Sequence, residues 1–467
     1  MLVSALNRIA VIGGGASGIF ASIAAAEAGA IVTVLEAGSD TLSKVKISGG
    51  GRCNVLHDTA KAVPELLAGY PRGRRELNGI LHKHFSPKMA QEWFTSRGVT
   101  LKTENDGRMF PTTDNSQTII KALLESADDA SVSIKHRAKV EEIKIDGSKF
   151  VVDYLQKNQG SEKESFSRAF DAVILATGSA PIGYKLASSL GLDMVPTVPS
   201  LFTLNAKLDV KEGGVLHGLS GVSVPLGKIS YQVLAQQPTL EVPGDITITT
   251  NTKKSVLEQQ GPLLITHHGL SGPAALRLSA FGARELNGAN YRGKLTVHWA
   301  PSLGNVDDVF EALWMITGTN PKKTVSSICP LFLSDGSTAL PRRLWASLVG
   351  CSGFALDQTW GQASKKITRQ LALLVTACPL QLTGKGTFKE EFVTAGGVDL
   401  KQMDMKTMQV KSCPGLFVCG ELLNVDGVTG GFNFMNCWGT GYVAGSSAAT
   451  FSAQSLPSNQ DFSLVED

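Results

Sequence analysis

The sequence predicts an α/β fold in which a Rossmann-like domain is interrupted by an inserted β-barrel and a small helical subdomain. Three observations predict it. Residues 9–18 read IAVIGGGASG, an apolar run of strand type that breaks into a glycine turn. Two further apolar strands, Asp171–Gly178 (DAVILATG) and Gly415–Glu421 (GLFVCGE), stand more than two hundred residues apart, so the parallel sheet they imply is interrupted. Between them, residues 200–265 alternate β-rich segments (GVSVPL, ISYQVLA, DITITT, PLLIT) with Gly and Pro turns, as a small barrel or sandwich does.

The first turn, Gly13-x-Gly15-x-x-Gly18, reads as a site for a dinucleotide pyrophosphate. Gly13 lets the chain turn sharply off the strand, Gly15 lets the backbone approach the phosphates, and Gly18 lets the following helix pack on the strand. The helix that follows, in the Ala-rich stretch Ile19–Gly29, points its N–H groups and positive dipole end at the phosphate charge, and Ala16 and Ser17 of the loop are expected among the cofactor contacts. Ile31–Leu35 then reads as a second parallel strand ending at Glu36-Ala37. An acid roughly 20 residues after the loop suits a ribose 2′-hydroxyl and disfavours a 2′-phosphate.

Lys46–Asn54 (KISGGGRCN) reads as a loop that returns over the same pyrophosphate, with Gly51 closing on it and Lys46 and Arg52 facing its charge. Cys53 fits as a small buried residue beside the cofactor rather than a redox centre, with Asn54 after it. Asn105–Asn115 (NDGRMFPTTDN) is expected to be a loop near the ligand, where Arg108 would hold an anionic substrate or form a structural ion pair, and a helix follows over Ser116–Ala127. Ser131–Ile145 reads as two strands of a β-meander, joined by Lys149–Leu155 and Phe170–Ala176. The strand DAVILATG stops abruptly at Thr177-Gly178, as a sheet strand does when it ends at a cofactor.

The C-terminal block decides which dinucleotide is expected. Gly430 and Gly431 stand where a final helix would begin, followed by Phe432 and Asn433, and the loop before it carries Gly420, Glu421 and Asp426. A positive helix end suits the N1/C2=O side of a reduced flavin, which becomes anionic, whereas nicotinamide gains no negative charge to stabilise. Carboxylates at a strand end suit the hydroxyls of a ribityl chain. FAD is therefore the expected cofactor, ahead of NAD.

These signals divide the chain into 1–189, the first part of the FAD-binding domain, 190–388, the insertion, and 389–467, the second part. Within the insertion, 190–280 and 366–388 are assigned to the barrel and 281–365 to the helical subdomain. In Thr266–Leu276 (THHGLSGPAAL), Ser271, Gly272 and Pro273 form a turn capping a helix, and His267 and His268 are candidates to line a substrate pocket. Asn305 caps a helix whose Val306, Val309, Phe310, Leu313 and Trp314 share one face. Amphipathic segments follow at Leu340–Val349 and Ser364–Val375.

A net charge of +3 with scattered Lys and Arg predicts no nucleic-acid partner, and the one dense cluster, Arg72–Arg75, is expected to lie on a solvated loop. No apolar run approaches the roughly 20 residues of a membrane span. The fingerprint starts near residue 9, which leaves no room for a leader, and seven dispersed cysteines without CxxC exclude a dithiol relay, so a reduced cytoplasmic protein is expected. No metal is expected.

In that order, GGGASG with Glu36, KISGGGRCN, GRMFP, ATGSAP, THHGLSGP, TAGGV and GELLNVDGVTGGFNF span nearly the whole chain and resemble the BaiN-like flavoproteins. The resemblance implies an FAD-dependent oxidoreductase with a glutathione-reductase-type cofactor domain and an inserted barrel-plus-helices region. It implies FAD contacts at the first glycine loop, Glu36, Lys46, Gly51–Asn54, Val140 against the adenine, Thr177-Gly178, Gly420-Glu421, Asp426 and Gly431–Asn433. The chain departs from the family pattern at Met435, in place of Gln, and at Leu56-His57, in place of Thr-Asn. Nothing between residues 179 and 390 repeats the strand, GxGxxG, helix and acid unit. A nicotinamide, NADH or NADPH, would therefore dock transiently, or the small-molecule substrate itself would give the hydride. Family members are described both as NAD(P)H-linked reductases of conjugated double bonds and as amine or aminoketone oxidases. The reductase leads here. The alternatives are the oxidase, a non-catalytic FAD-binding protein and a flavin-dependent RNA-modifying enzyme. His267, His268 and Arg108 are the candidate catalytic residues.

Overall fold

The computed structural model describes residues 6–157, 163–206, 214–232, 256–355, 357–386 and 393–452. It separates into two compact units, one of residues 1–197 with 394–467 and the other of residues 198–393. The expected strand at residues 245–250 lies outside the described residues.

The first unit is built on a sheet whose parallel strands are β1 (Arg8–Ile12), β2 (Ile31–Leu35), β3 (Ser133–Lys135), β4 (Ala172–Leu175) and β5 (Cys413–Val418), in the order β5-β4-β1-β2-β3. A hairpin of Met403–Asp404 and Gln409–Val410 extends it beyond β5. Helix α1 (Ala16–Glu27) links β1 to β2, and helix α2 (Phe432–Thr450) follows β5. Ile9–Val11, Ala172–Leu175 and Leu416–Val418 are wholly buried, which is why these strands carry apolar residues without alternation. β4 and β5 are hydrogen-bonded neighbours, with Val173 opposite Leu416, although the whole second unit lies between them in sequence.

Two expectations about this unit change. Ser133–Lys135 belongs to the parallel sheet, where Thr33 faces Ser133, and not to the meander. The chain reverses at Arg137, which has a φ of 52°, and the meander proper is Ala138–Asp146, Lys149–Lys157 and Lys163–Phe170. Phe170 ends the meander and Ala172 opens β4, so one apolar run served two sheets. The stretch expected as a loop at Asn105–Asn115 instead contains a strand, Arg108–Pro111. It is the middle of a small antiparallel sheet with Leu56–His57 and Leu101–Thr103.

α1 and α2 pack with their backbones almost touching. A Cβ on Gly441 would stand 2.7 Å from the Ser17 carbonyl oxygen, and one on Gly445 would stand 2.1 Å from that of Ala21. Because 441 to 445 matches 17 to 21, the helices run in the same direction. From Phe432 to Gly441 is nine residues, so α2 starts about 14 Å before the level of Ser17 at 1.5 Å per residue.

The second unit contains a closed six-stranded barrel, in the order Leu204–Ala206, Gly269–Ser271, Val256–Ile265, Ser223–Gln232, Gly293–His298 and Cys378–Lys385. Its interior, including Ile229, Tyr231, Leu263, Leu295 and Val297, is continuous with the core of the helices Val306–Thr319, Arg342–Ser352 and Lys365–Thr376. The strand Gly293–His298 falls in the stretch assigned to helices, and the helix Lys365–Thr376 overlaps a stretch assigned to the barrel. Periodicity over short apolar runs does not separate a barrel strand from a buried helix. Asn305 caps the helix Val306–Thr319 as expected, in a capping box with Asp308. Pro273 opens the helix after Gly272, whose φ of 88° explains the glycine.

Among the described residues no helix is long and apolar enough to cross a membrane. The close approach of α1 and α2 makes a test possible. Gly445→Val places a side chain against the Ala21 backbone and is expected to cost about 1–3 kcal/mol, seen as a lower urea midpoint.

Candidate cofactor site

The first turn uses its three glycines for three different reasons. Gly13 has a φ of 105°, and a Cβ there would meet the Ala176 carbonyl oxygen at 2.7 Å. A Cβ on Gly18 would overlap the Gly13 carbonyl oxygen at 1.9 Å, so helix and strand meet only through glycine. Gly15 has an ordinary φ of −79°, and nothing lies within 4 Å of where its Cβ would be. Its face is open space at the start of α1, and no side chain caps that start. This is the form of a backbone cradle for an anion.

Glu36 ends β2 half-buried, accepting from Gly14 N at 2.7 Å and from Gly38 N at 2.6 Å. These two bonds fix the carboxylate beside the turn, next to exposed Ala37. The meander is tied to the same point, since Ala138 N donates to Glu36 O and Arg137 N to Gly38 O, both at 2.8 Å. Val140, 4% exposed, lies two residues further along that strand.

The second glycine run follows a short helix, Ser43–Ile47, that begins next to the first turn, where Leu42 N donates to Gly14 O. Gly49, Gly50 and Gly51 all have positive φ, and Gly50 and Gly51 face open space. Cys53 is fully buried and its thiol is pushed up to about 12 by burial, which suits a packing role. The cations are arranged otherwise than expected. Arg52 lies over the Phe110 ring at 3.9 Å and pairs with Glu104 at 2.8 Å and Asp114 at 3.4 Å, so its charge serves this sheet rather than a phosphate. Lys46 and Lys44 are both exposed, but Lys44, two residues earlier, reaches Glu421 at 2.6 Å and Ser179 at 2.8 Å. Lys44 was missed because spacing in the sequence cannot show which side chain of a five-residue helix meets the chain after β4 and β5.

β4 ends at Thr177 and Gly178, and β5 at Gly420 and Glu421. Gly178 and Gly420 have φ values of 60° and 73°, and Gly420 N donates to Thr440 Oγ1 of α2 at 3.0 Å. Glu421 also accepts from Thr394 N at 3.2 Å. The hydroxyl oxygen of Thr177 and the side-chain carbonyl oxygens of Asn424 and Asn436 are buried without a hydrogen-bond partner. Unpartnered buried polar atoms of this kind are expected where a bound group completes them.

The start of α2 is braced from two sides. Gly430 and Gly431 have φ values of 123° and 91°. The Asn54 amide donates to Leu56 O at 3.1 Å and accepts from Gly431 N at 3.0 Å, and the Asn433 amide bonds both N and O of Gly427. Both asparagines therefore shape the loop with their side chains. His57, 7% exposed, bonds Gly430 O at 2.9 Å and stacks on Phe432 at 4.5 Å, so the Phe432 ring turns inward and not toward a ligand. From the other side Tyr70 donates to Phe432 O at 2.7 Å, and Val428 N to Gly69 O at 2.8 Å. Arg72 grips Asp426 through both carboxylate oxygens, and the Asp426 side chain is fully buried. Asp426, expected as a cofactor contact, is thus sealed by an ion pair, and the cluster expected on a solvated loop divides, with Arg72 turned inward and Arg74 and Arg75 exposed at the start of the helix Arg74–Gly79.

The candidate catalytic residues divide between the two units. Arg108 pairs with Asp106 at 2.7 Å and Glu104 at 3.0 Å, the structural alternative foreseen for it. His267 and His268 are exposed and belong to the second unit, in a turn where Thr266 Oγ1 accepts from the backbone N–H groups of His268 and Gly269. All seven cysteines are free thiols, and burial raises both Cys419, to about 12, and Cys437.

A parallel sheet, an open glycine cradle at one helix start and a second helix start about 14 Å further on, at 1.5 Å per residue, fit an elongated dinucleotide. Fold and family together define an FAD-dependent oxidoreductase. The chain belongs to the family described as HI0933-like protein Rossmann domain, whose sequence model matches residues 7–447. The resemblance carried by the motifs is borne out by that match. The chain is 29% identical to the 3-dehydro-bile acid delta(4,6)-reductase of Clostridium scindens, over 95% of this chain and 99% of the relative. It is 26% identical to the ribosomal RNA dihydrouridine synthase of Escherichia coli, over 93% and 96%. Among solved structures, the 3-ketosteroid-delta4-(5alpha)-dehydrogenase of Rhodococcus jostii RHA1 is similar with a TM-score of 0.46 at 16% identity, covering 96% of this chain and 98% of that one.

Two outcomes are expected from this geometry. Gly15→Val fills open space without backbone strain, so it is expected to leave the thermal midpoint unchanged while yielding colourless protein; a yellow variant would move the cradle elsewhere. Asp426→Ala strands the Arg72 guanidinium and is expected to lower stability by about 3–5 kcal/mol in urea titration.

Proposed function

We propose that this enzyme is an NAD(P)H-linked reductase of a carbon–carbon double bond conjugated to a carbonyl in a small organic substrate. The observation that carries the reading is the pair of co-directed helix starts, which supports one elongated cofactor spanning both. The backbone at Gly15, Gly50 and Gly51 would take the pyrophosphate, Glu36 and Val140 the adenosine, and Glu421 with Thr177-Gly178 the ribityl chain. The start of α2 would face the flavin ring.

When bound, FAD supplies a carrier that takes a hydride from the nicotinamide and returns it to the β carbon of the double bond, the α carbon then taking a proton. The chain's part is to orient and to polarise. N–H groups at the start of α2 favour negative charge on the ring edge they face. Lys44, which also donates to Ser179 Oγ, and Thr394 N hold Glu421 in one position, ready to accept from a hydroxyl. Arg108 is engaged by two carboxylates, so the proton donor is sought at His267 and His268. Described elements of the second unit are barrel strands and helices, which supports a nicotinamide that visits the flavin rather than one held in a domain of its own.

The names of the relatives support the direction of the reaction. One is a reductase of a bile acid with unsaturation at positions 4 and 6, and the others form dihydrouridine, a base with two added hydrogens. Both products arise by saturating a double bond.

Anaerobic stopped-flow mixing tests the proposal. NADH or NADPH is expected to bleach the flavin, and a 3-oxo-4-ene steroid acid to restore its colour. Restoration only by uridine-containing RNA would move the substrate to nucleic acid. Bleaching by amines but by neither nicotinamide would replace the reductase with an oxidase. His268→Ala is expected to retain FAD and its bleaching yet lose turnover of the double bond; unchanged turnover removes His268 from the site.

A further inference from the structure

His57 is buried in the first unit, and the partners of its two ring nitrogens decide which of them carries the hydrogen. Nδ1 lies 2.9 Å from Gly430 O, and a carbonyl oxygen only accepts, so Nδ1 carries the hydrogen. Nε2 lies 3.2 Å from Lys61 Nζ, and an ammonium only donates, so Nε2 accepts. The two partners select one neutral tautomer. Burial lowers the imidazole below its ordinary value, the Gly430 bond acts against this, and Lys61 lowers it further. Asp58 and Asp106 oppose Lys61.

The ring is held as firmly as its proton. It stacks on Phe432 with an interplanar angle of 26°, and Gly107 leaves it room, since a Cβ there would stand 2.6 Å from Nε2. The partner it holds is a turn that glycine adopts readily, because Gly430 and Gly431 both have φ values that favour glycine, and they set the direction in which α2 begins.

We propose that His57 is a positioning residue: donating from Nδ1 to Gly430 O, with Lys61 fixing the tautomer, it holds the Gly430-Gly431 turn and so sets how strongly the start of α2 stabilises reduced flavin. The inference rests on the flavin lying at this helix start, as proposed above. A shift of the turn changes the distance from the helix N–H groups to the ring, and reduced flavin, the more negative form, feels that change more than oxidised flavin does.

The test is the two-electron reduction potential of the FAD-loaded protein, read by equilibration with a reference dye without nicotinamide or substrate. His57→Phe keeps a ring against Phe432 but loses both hydrogen bonds. It is expected to weaken binding of reduced relative to oxidised flavin about tenfold, a potential about 30 mV more negative. His57→Asn places its amide N–H near the site of Nδ1 and is expected to stay within about threefold of the parent, since the hydrogen bond to Gly430 O is what counts. Lys61→Met, on an exposed side chain, removes the donor that fixes the ring at Nε2 and is expected to shift the potential in the same direction by less. Equal shifts for Phe and Asn, or none for Phe, would overturn the proposal. If His57→Phe does not fold, the Lys61→Met potential decides, and no shift there overturns it. Tyr70→Phe removes the brace on Phe432 O and serves as the control for placement. A shift there without one in His57→Phe refutes the role of His57 alone, whereas no shift in either refutes the flavin's position.

Discussion

The first unit depends on one steric constraint, the near contact of the α1 and α2 backbones. Gly441 and Gly445 lie against the carbonyls of Ser17 and Ala21 at distances that no side chain would allow. This fixes the axial offset of the two helices, because glycines four residues apart meet carbonyls four residues apart. The offset in turn fixes the axial separation of the two helix starts. If the cofactor reaches from one positive end to the other, as proposed, backbone geometry sets the length it must have.

Side chains then stabilise the loop that leads into α2. That loop contains backbone conformations available to few residues other than glycine, and it is held by contacts from chain segments that are remote in sequence. Asn54 and His57 act from one side, and Gly69, Tyr70 and Arg72 from the other. The Arg72–Asp426 pair lies where water is excluded, and its partners are matched in geometry, which is the condition under which a buried ion pair specifies a conformation. Polar residues of the GGFN region are therefore concerned mostly with backbone shape.

The fold was largely legible in the sequence, and the site was legible as backbone more than as side chains. Gly13, Gly15 and Gly18 have the steric reasons read from their spacing, and the capping at Asn305 follows from residue chemistry alone. Local rules were sufficient there because the causes are local. They failed where tertiary partners decide. Ser133–Lys135 reads as a meander strand until β2 is beside it, and Asp426 reads as a free carboxylate until Arg72 arrives from 354 residues away. Lys44 and Lys46 are indistinguishable by charge and both exposed, and only the folded chain shows that Lys44 is the one within reach of Glu421. Arg52 was read as a phosphate ligand because Phe110, Glu104 and Asp114 are not recognisable as its neighbours from spacing.

The adjacency of β4 and β5 has a consequence for the order in which the molecule comes into being. On the ribosome, the strand ending at Gly178 emerges well before its neighbour, with the second unit made in the interval. Until residue 413 appears, β4 has one open edge, and α1 lacks the helix that covers it. An open strand edge is a template for mispairing, and contacts of such long sequence separation form slowly. The start of α2, where the flavin is proposed to lie, is consequently among the last parts of the first unit to be made, and a nascent chain has no such helix end to offer until residues 432–450 have emerged.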